Sequence, residues 1–475
     1  MSATHFIVRK STLDKRWDAF YSEPEIVALE QRVQQKATHT LRDFARFMSG
    51  GATPLKSEGD QHYTDAANGV PFIRVQNLTP TGELDLQDVK HITHSTNGSS
   101  LARSRLSGGE LLVKITGVGR MAVASVVPDG LEANINQHIA AITTESKAQS
   151  EALAAYLNLD FVERLASRRT TGGTRPALDY NALLSIPVID DPRVVSIMQV
   201  AYAEKRKLEA QAAALLSSID NYLLAELSII LPSKPENTVD SRIFTVKQSA
   251  LFGQKLDPYS CQPRFRKLFT HIHASKYRAS TFQELETLIF SGVTPLAKSD
   301  AYVSPPDGVR FIRSGEITTD GEVTPTSEVH LSDTIHNGMM KRSQLVSGDL
   351  LIAIVGATIG AVGVFNRDEP ANINQAIAAV RLRSDEISPE FACLYLRSRI
   401  GQALLDYFKR PVARANINLE EIGAIPLIIP PKDVQENIVA KYHIYREEAR
   451  LLRQQAEAEL KSAKQAVENL ILGEA

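Results

Sequence analysis

The chain has 475 residues, of which 43% are hydrophobic and 23% are charged, and its formal net charge at pH 7 is −2. These values exclude a largely disordered chain and argue against a simple basic, non-specific DNA binder, while the length predicts two or three folded domains. Two cysteines are too few for a disulfide framework. No segment has the composition of a secretion signal or a membrane span, so we expect a cytoplasmic protein.

Short apolar segments, separated by Gly and Pro turn signals, open the first half of the chain. Their alternation predicts strands at 70–75, 111–115, 123–127 and 139–143. A helical segment at 151–167 follows, and after it come a basic loop, an Ile-Pro pair at 186–187 and a long helix. The second half has the same plan, with its helical segment at 389–408. This mixture of short strands and helices predicts an α/β (α+β) fold.

The two halves also share five sequence blocks, which occur in the same order at shifts of 238 to 240 residues. The first is Gly-Val-Pro-Phe-Ile-Arg, and the fourth, Ala-Asn-Ile-Asn-Gln, is identical in both copies. A nearly constant shift over five blocks indicates a tandem duplication. The blocks are 69–74 and 308–313, 78–84 and 317–323, 107–113 and 347–353, 133–137 and 371–375, and 185–187 and 424–426.

Each copy ends in a long segment without Gly or Pro, which follows Pro192 in copy one and Pro431 in copy two and reaches about Leu231 and Leu472. These segments predict two long helices. In both, residues spaced alternately three and four apart form a coiled-coil seam. A helix of about 38 residues spans roughly 57 Å. We favour an antiparallel pair that holds two globular units apart; the alternative is that each helix folds back on its own domain. The seam positions are Met198, Ala201, Lys205, Leu208, Ala212, Leu215, Ile219 and Tyr222, and Ile438, Tyr442, Tyr445, Ala449, Leu452, Ala456, Glu459, Ala463, Ala466 and Leu470.

These patterns predict five segments along the chain. Two recognition domains occupy 1–190 and 256–431, and a connector at 232–255 precedes the second of them. The long helices occupy 191–231 and 432–475.

No catalytic or cofactor-binding motif occurs in the sequence. A P-loop is absent, and Gly117-Val-Gly119 lacks the further glycine of a dinucleotide-binding fingerprint. A methyltransferase motif of the type Asn/Asp-Pro-Pro-aromatic is also absent. Histidines and cysteines do not occur at the spacing of metal ligands. We therefore expect no catalytic residue, no metal and no cofactor in this chain.

A basic loop between the helical segment and the Ile-Pro pair is the strongest candidate for DNA contact in each copy. Arginine, small hydroxyl residues and backbone N–H groups suit phosphate binding, and arginine can also read guanine; the alternative is a solvated charged face. We expect Ala at positions 168 and 169 to weaken DNA binding without loss of folding. The loop candidates are Arg164, Arg168, Arg169, Thr171 and Arg175 in copy one and Lys409, Arg410 and Arg414 in copy two.

Other candidates lie at strand ends and in the shared blocks. Lys114, Arg120 and Thr358 flank the Gly turns. For Arg74 and Arg313, which close the Phe-Ile-Arg strands, DNA-backbone contact and a structural ion pair are both open. Asn and Gln can read adenine edges, but identical blocks in domains that read different bases favour buried structural hydrogen bonds. The residues concerned are Asn134, Asn136 and Gln137, and Asn372, Asn374 and Gln375.

The duplicated order of Phe-Ile-Arg, Thr-x-x-Gly-Glu, Asn-Gln, basic loop, Ile-Pro and long helix resembles the specificity subunits of type I restriction-modification enzymes. The run Ile425-Pro426-Leu-Ile-Ile-Pro430-Pro431 before the second helix is especially typical. The resemblance implies two target-recognition domains on an antiparallel helix pair, each reading half of a bipartite DNA target. It also implies two methyltransferase partners that carry S-adenosylmethionine, and a restriction subunit that uses ATP and Mg²⁺.

Two other classes of function are weighed against this one. The first is a DNA-modifying enzyme with tandem recognition domains, which the missing cofactor and metal motifs argue against. The second is a protein-only scaffold that pairs other factors through its coiled coil. Binding to a duplex with a bipartite site separates the specificity subunit from the scaffold.

Overall fold

The computed structural model describes residues 16, 18–54, 61–235, 243–247, 257–296, 300–318, 320–324, 329–356, 358–383, 385–409 and 416–473. The opening segment around residues 13–15, most of the 232–255 connector and residues 410–415 therefore lie outside the described residues. The chain divides into two compact units, Met1–Ala210 with Leu452–Ala475 and Gln211–Leu451. Neither Cys261 nor Cys393 forms a disulfide within the described residues.

Unit 1 begins with a helix and contains three sheets, of two, four and five strands. Its strands are β1 His39–Thr40, β2 Phe47–Gly50, β3 Tyr63–Thr64, β4 Gly69–Ile73, β5 Lys90–Thr93, β6 Arg105–Leu106, β7 Leu111–Lys114, β8 Ala124–Val126, β9 Ala133–Ile135, β10 Ile139–Thr143 and β11 Pro187–Val188. Its helices are α1 Pro24–Lys36, α2 Leu41–Phe44, α3 His94–Gly98, α4 Lys147–Leu157, α5 Asp160–Arg168, α6 Tyr180–Leu184 and the start of α7 Pro192–Glu226.

The four-stranded sheet of unit 1, in the order β2-β10-β7-β8, is buried on both faces. Successive side chains of a strand point to opposite faces. Leu111 and Val113 accordingly join the core formed with α1, α4 and α5, whereas Leu112 joins a second core shared with β4 and β9. The second core lies between this sheet and a five-stranded sheet of order β3-β5-β4-β9-β6, in which only β4 and β9 are parallel.

Unit 2 has the same plan. Its strands are β12 Arg278–Thr281, β13 Glu286–Ser291, β14 Tyr302–Val303, β15 Val309–Ile312, β16 His330–Leu331, β17 Asp349–Ala353, β18 Val362–Phe365, β19 Ala371–Ile373, β20 Ile377–Leu382 and β21 Pro426–Ile429. Its helices are α8 Pro263–His273, α9 Phe282–Leu285, α10 Asp333–Asn337, α11 Pro389–Arg397, α12 Arg399–Phe408, α13 Leu419–Gly423 and the start of α14 Lys432–Leu472.

The strand orders of the two units correspond. In unit 2 the sheet of order β13-β20-β17-β18 corresponds to the four-stranded sheet of unit 1. The sheet of order β14-β16-β15-β19 corresponds to the five-stranded sheet of unit 1, and an isolated bridge from Gln344 to Asn372 stands where unit 1 has β6. Leu350 and Ile352 face the helices, whereas Leu351 and Ala353 face the second sheet. The predicted strands and the predicted duplication are therefore confirmed.

Each helical segment predicted as one helix is broken into two. In unit 1 the break falls at Asn158, whose buried side chain accepts the N–H of Ala124 and donates to its carbonyl, at 3.1 and 2.8 Å. In unit 2 the break falls at Ser398, whose backbone is extended (ψ 167°) and whose hydroxyl binds the carbonyl of Tyr395. In unit 1 the side chain ties the break to the sheet, a contact that helical periodicity does not reveal.

The two long helices are present, although the first ends at Glu226 rather than at 231. Ser228 has a positive φ of 56°, and the N–H of Ile229 returns to the carbonyl of Leu224, which closes the helix. In unit 1 Lys205 pairs with Glu457, and in unit 2 the ammonium of Lys441 lies 3.8 Å from the ring centre of Tyr222. From the first contact to the second, the residue number rises on α7 from 205 to 222 and falls on α14 from 457 to 441. The two helices therefore run antiparallel, as predicted.

The seam of α14 departs from the prediction after Ala456. Glu459 and Ala466 are exposed, while Leu460, Val467 and Ile471 are buried in the core of unit 1. The spacing 456, 460, 463, 467 and 471 adds steps of four to the alternation, because this end of α14 packs on a globular core and not only on a partner helix. The antiparallel pair is therefore confirmed. Each helix starts on its own domain, but the far end of α14 packs on the core of unit 1, which a helix folded back on its own domain would not do.

Equivalent carboxyl groups differ between the units. Asp349 is fully buried and forms a two-point ion pair with Arg381, both bonds at 2.8 Å. Glu110, at the equivalent place, is partly buried, and its partners among the described residues are the N–H of Ser107 and the hydroxyl of Thr143. Partial burial raises the pKa of Glu110 above its ordinary 4.5. Only the carboxylate of unit 2 is therefore neutralised by a cation.

We expect Glu110→Gln and Asp349→Asn to have opposite effects. Because the pKa of Glu110 is higher in the folded chain than in the unfolded chain, its contribution to stability falls as pH rises from about 4.5 through the raised pKa. Urea unfolding from pH 4.5 to 7.5 should therefore show Glu110→Gln gaining stability relative to the native chain as pH rises. Asp349→Asn should lose about 1–3 kcal/mol at pH 7, because Arg381 loses its partner. Parallel pH profiles for Glu110→Gln and the native chain would contradict the first expectation.

Candidate nucleic-acid interface

Two arginines of the copy-one basic loop are used internally. Arg168, the last residue of α5, and Arg169 each bind one oxygen of Glu30 on α1, and all three side chains are at most 12% exposed. The Nε of Arg168 also donates to the carbonyl of Tyr21 at 2.8 Å, and its guanidinium lies 4.1 Å from the centre of that ring. Burial lowers the pKa of Arg169. These contacts join α5 to α1 and leave little of either guanidinium for DNA.

Lys114 and Arg120 are also bound within unit 1. The ammonium of Lys114 is buried and donates to the carbonyl of Val118 at 2.8 Å, and burial lowers the pKa of Lys114, although Glu163 opposes the shift. Arg120 donates to the carbonyls of Asn158 and Leu159, at the junction of α4 and α5, and pairs with the carboxylate that begins α5. The internal partners of Lys114 and Arg120 argue against DNA contact by these two side chains, as Glu30 does for the arginines that it binds. DNA contact by these four residues stays a prediction.

The tip of the copy-one loop remains available. Residues 171–175 are all exposed, and Thr171 and Ala177 exchange two backbone hydrogen bonds of 2.8 Å that close the loop into a hairpin. The N–H of Gly117 donates to the carbonyl of Pro176, so the tip lies beside the 117–119 turn. Arg175 and Thr171 are therefore presented together on a closed loop, which suits contact with a nucleic-acid backbone.

The remaining copy-one candidates differ in exposure. Arg164 is half exposed and lies 3.6 Å from Glu25, which is itself exposed. Arg74 is partly buried and donates to the carbonyl of Asp88 at 3.2 Å. Arg74 forms no ion pair within the described residues, so the structural alternative of an ion pair is not supported for it.

The copy-two candidates also differ in exposure, and two of them lie outside the described residues. Arg313 is exposed, its guanidinium lying 6.0 Å from the ring centre of Phe311. Thr358 is partly buried in the turn between β17 and β18, and Lys409 follows the end of α12. Arg410 and Arg414 lie outside the described residues. DNA contact by all of these residues stays a prediction.

The shared asparagines have the structural role that their identity predicted. Asn134 is fully buried and donates to the carbonyl of Leu101 and to the side chain of Asn97, at 2.9 and 2.8 Å. Its oxygen accepts the hydroxyl of Ser104 at 2.7 Å. These bonds fix a short 3-10 helix at Ala102–Ser104, from which Arg103 projects into solvent.

The same arrangement occurs in unit 2. Asn372 is fully buried and donates to the carbonyl of Met340 and to the hydroxyl of Ser343, at 2.9 and 3.1 Å. These two hydrogen bonds fix a 3-10 helix at Lys341–Ser343, which carries the exposed Arg342. We call Arg103-Ser104 and Arg342-Ser343 the Arg-Ser turns. In each, a buried serine bound to a buried asparagine holds an exposed arginine.

The Arg-Ser turns were missed in the sequence, although a signal was present. Arg103 and Arg342 are 239 residues apart, which is the shift of the repeat. Each is followed by serine, and within the described residues neither guanidinium has a hydrogen-bond or ion-pair partner. Exposed arginines without internal partners, held on a rigid backbone, are well suited to phosphate contact, because binding breaks no internal hydrogen bond or ion pair of the guanidinium.

Other classes of site find no support in the part of the chain that the structure describes. No group of three or more His, Cys, Asp or Glu side chains there could hold a metal ion. Nor is any helix in these ranges both long and apolar enough to cross a membrane.

Comparison with known proteins finds a match within the second half of the chain. Residues 307–462 match the family model described as type I restriction modification DNA specificity domain. This stretch is therefore similar to the specificity domains of type I restriction-modification systems. The resemblance predicted from the sequence is thereby confirmed. The specificity domain contains β15 to β21 and includes the second Arg-Ser turn.

One curated relative and several solved structures are also similar to this chain. The Escherichia coli type I restriction enzyme EcoBI specificity subunit is 33% identical over 135 residues, a match that spans 28% of this chain and 28% of that relative's length. A solved chain from work on complex assembly and conformational transition of the type I R-M system aligns over 91% of this chain and 96% of its own, at 17% identity and a TM-score of 0.46. The HsdS subunit of Thermoanaerobacter tengcongensis aligns over 91% and 94%, at 17% identity and a TM-score of 0.33. The assignment rests on the sequence matches to the specificity domain.

Proposed function

We propose that this chain is the DNA-recognition subunit of a type I restriction-modification complex and that it catalyses no step itself. Each unit reads one half of a bipartite target, and the helix pair sets the unspecified spacer. Two methyltransferase subunits that carry S-adenosylmethionine dock on the chain. A restriction subunit that uses ATP and Mg²⁺ joins the complex where one is present.

One observation carries the proposal: unit 1 repeats the strand order of the unit that holds the specificity domain. Two copies of one recognition fold in a single chain suit two half-sites. The net charge of −2 is compatible with DNA binding only if basic groups are concentrated locally. The Arg-Ser turns and the tip at 171–175 supply such groups on exposed backbone.

Positions that differ between the copies support reading of two different half-sites. Arg105 and Gln344 occupy equivalent places, since each pairs in the sheet with the buried asparagine of its copy. Arginine favours guanine and glutamine favours adenine in the major groove. Within the units the Nε of Arg105 donates to the carbonyl of Asn97 and the amide of Gln344 donates to the carbonyl of His336, so base reading by either side chain requires it to use its remaining polar groups or to open these bonds. The arginines of the Arg-Ser turns are the same in both copies, which is what contact with the sequence-independent phosphate backbone requires.

Selection from a pool of randomised duplexes tests the proposal. The full chain, alone and with its co-purified methyltransferase, should recover two short motifs separated by a fixed number of unspecified base pairs. Scrambling one motif should weaken binding by about a hundredfold, because a second linked contact multiplies affinity. Recovery of a single uninterrupted motif, or of no motif, would refute a bipartite reader and favour the protein-only scaffold.

A further inference from the structure

Each recognition fold touches its own long helix at a second point, well beyond the place where the helix begins. In unit 1 the hydroxyl of Tyr202 donates to the carbonyl of Pro80 at 3.2 Å, and Arg206 pairs with Glu83. Tyr202 and Arg206 are one helical turn apart on α7 and therefore share a face. Both contact the turn at 79–83, which is the Thr-x-x-Gly-Glu block of the repeat.

Unit 2 contains the same set of contacts. The hydroxyl of Tyr442 donates to the carbonyl of Asp320 at 3.2 Å, and Arg446 pairs with Glu322 at 2.7 Å. Tyr442 and Arg446 follow their copy-one counterparts by 240 residues, although they lie on different helices. We call the two sets, each a Tyr-x-x-x-Arg pair on the helix bound to a Gly-Glu turn, the clamps.

The turn held by each clamp is rigid. In copy one the N–H of Gly82 donates to Thr79, and the carbonyl of Gly82 accepts the N–H of Val126 on β8 at 2.8 Å, which ties the turn to the sheet. Gly82 and Gly321 have φ of 87° and 81°, values at which a side chain is strained. In unit 1 a turn tied to the sheet therefore meets the helix, and in unit 2 the N–H of Gly321 donates to Thr318 at 3.1 Å as that of Gly82 does to Thr79.

The position of the clamps along the helices is also the same. α7 begins at Pro192 and α14 at Lys432, so in both cases the tyrosine is ten and the arginine fourteen residues from the helix start. These distances along the helix amount to about 15 and 21 Å. Between the helix start and the clamp, Val194, Met198 and Ala201 of α7 pack on the core of unit 1. The clamp therefore adds a polar attachment at the far end of this packing and, together with it, restricts the angle between the domain and its helix.

Stability does not explain why the ion pairs are duplicated. In copy one, both members of the pair are more than half exposed, and exposed pairs contribute little to folding. In copy two Glu322 is 60% exposed and Arg446 is 27% exposed, so the spacing of the pair, and not its burial, is what the copies share. Equal spacing in both copies is expected if the pair restricts an angle. We propose that the clamps are positioning devices that fix the direction of each recognition domain relative to its helix, so that only one spacer length fits both half-sites. This inference rests on the proposed function for its consequence in DNA binding.

Spacer discrimination by the full chain tests the consequence. The probes are duplexes with both selected motifs and spacers one base pair shorter, native or one longer, together with single-motif duplexes. In the double variants Tyr202→Phe with Arg206→Gln and Tyr442→Phe with Arg446→Gln, preference for the native spacer should fall about tenfold, because the effective concentration of the second domain is spread over more orientations. Binding to single motifs should stay within about twofold of native, since no clamp residue reads DNA in this proposal.

Matched controls remove a charge from the same helices without touching a clamp. Lys207→Gln and Arg450→Gln each break an exposed ion pair with an acid of their own helix. They should leave the spacer preference unchanged. Clamp variants that fold and keep the native preference overturn the proposal, as do controls that lose it equally.

A readout without DNA separates this inference from the proposed function. Spin labels at Glu132 and Ala210, both exposed in unit 1, measure the domain against its own helix after the native cysteines are replaced. The distance distribution should broaden about twofold in Tyr202→Phe with Arg206→Gln and should not change in Lys207→Gln. An unchanged distribution in the clamp variant overturns the clamp whatever the DNA result, whereas a native chain without a bipartite preference overturns the proposed function alone.

Discussion

Replacing Glu30 with Ala should destabilise unit 1 by about 3–5 kcal/mol, the cost of leaving buried charges without their partner. The carboxylate is 8% exposed and is shared by Arg168 and Arg169, which are 12% and 11% exposed. Its removal leaves two guanidinium groups in a poorly hydrated place between α1 and α5. Urea unfolding of the full chain, with hydrogen exchange to assign the transition to unit 1, measures the loss.

The matched control for this experiment is Arg164→Ala. Arg164 also lies on α5 and also faces a glutamate of α1, but the pair is largely exposed and should contribute at most about 1 kcal/mol. A Glu30→Ala chain as stable as Arg164→Ala would contradict the structural role. Ala at positions 168 and 169 should likewise weaken folding, which is the opposite of what the sequence alone predicts. Any loss of DNA binding in those variants therefore needs a measurement of stability beside it.

Replacing Arg103 and Arg342 together with Ala should weaken DNA binding at least roughly a hundredfold, with about tenfold from each. A hydrogen bond to a charged group contributes about 1.5–3 kcal/mol, and about 1.4 kcal/mol corresponds to a factor of ten. Because the proposed contact is with phosphate, the loss should be the same for every duplex sequence, and the salt dependence should fall by about one unit per arginine. Titration of labelled duplexes at several salt concentrations measures both quantities.

An exposed arginine on α14, Arg453, supplies the control. Arg453→Ala removes the same charge without touching an Arg-Ser turn and should change affinity only slightly. Arg103→Lys should recover part of the binding, because a phosphate binds the ammonium group of lysine as well as the guanidinium group of arginine. A loss confined to certain base sequences would show that the arginines read bases, and equal losses in Arg453→Ala would reduce the effect to net charge.

The same comparison shows how far sequence reasoning reaches for the candidate site. The repeat placed the basic loop correctly, but the loop arginines divide into the buried pair at 168–169 and the exposed Arg175. That division depends on Glu30, which lies 138 residues earlier in the chain and carries no signal of its own. The Arg-Ser turns were detectable by their 239-residue shift, yet only their burial pattern distinguishes the anchoring serine from the exposed arginine.

By itself, the sequence determined the duplication, the short strands, the two long helices and the resemblance to a specificity family. These follow from patterns that are local or that repeat at a constant shift, because hydrophobic periodicity and turn residues act over a few positions. Tertiary structure alone decided which basic residues are bound internally, where the predicted helices break, and how Tyr202 and Arg206 meet the turn at 79–83. Those contacts join residues distant in the chain, and their formation depends on packing geometry that no local pattern records.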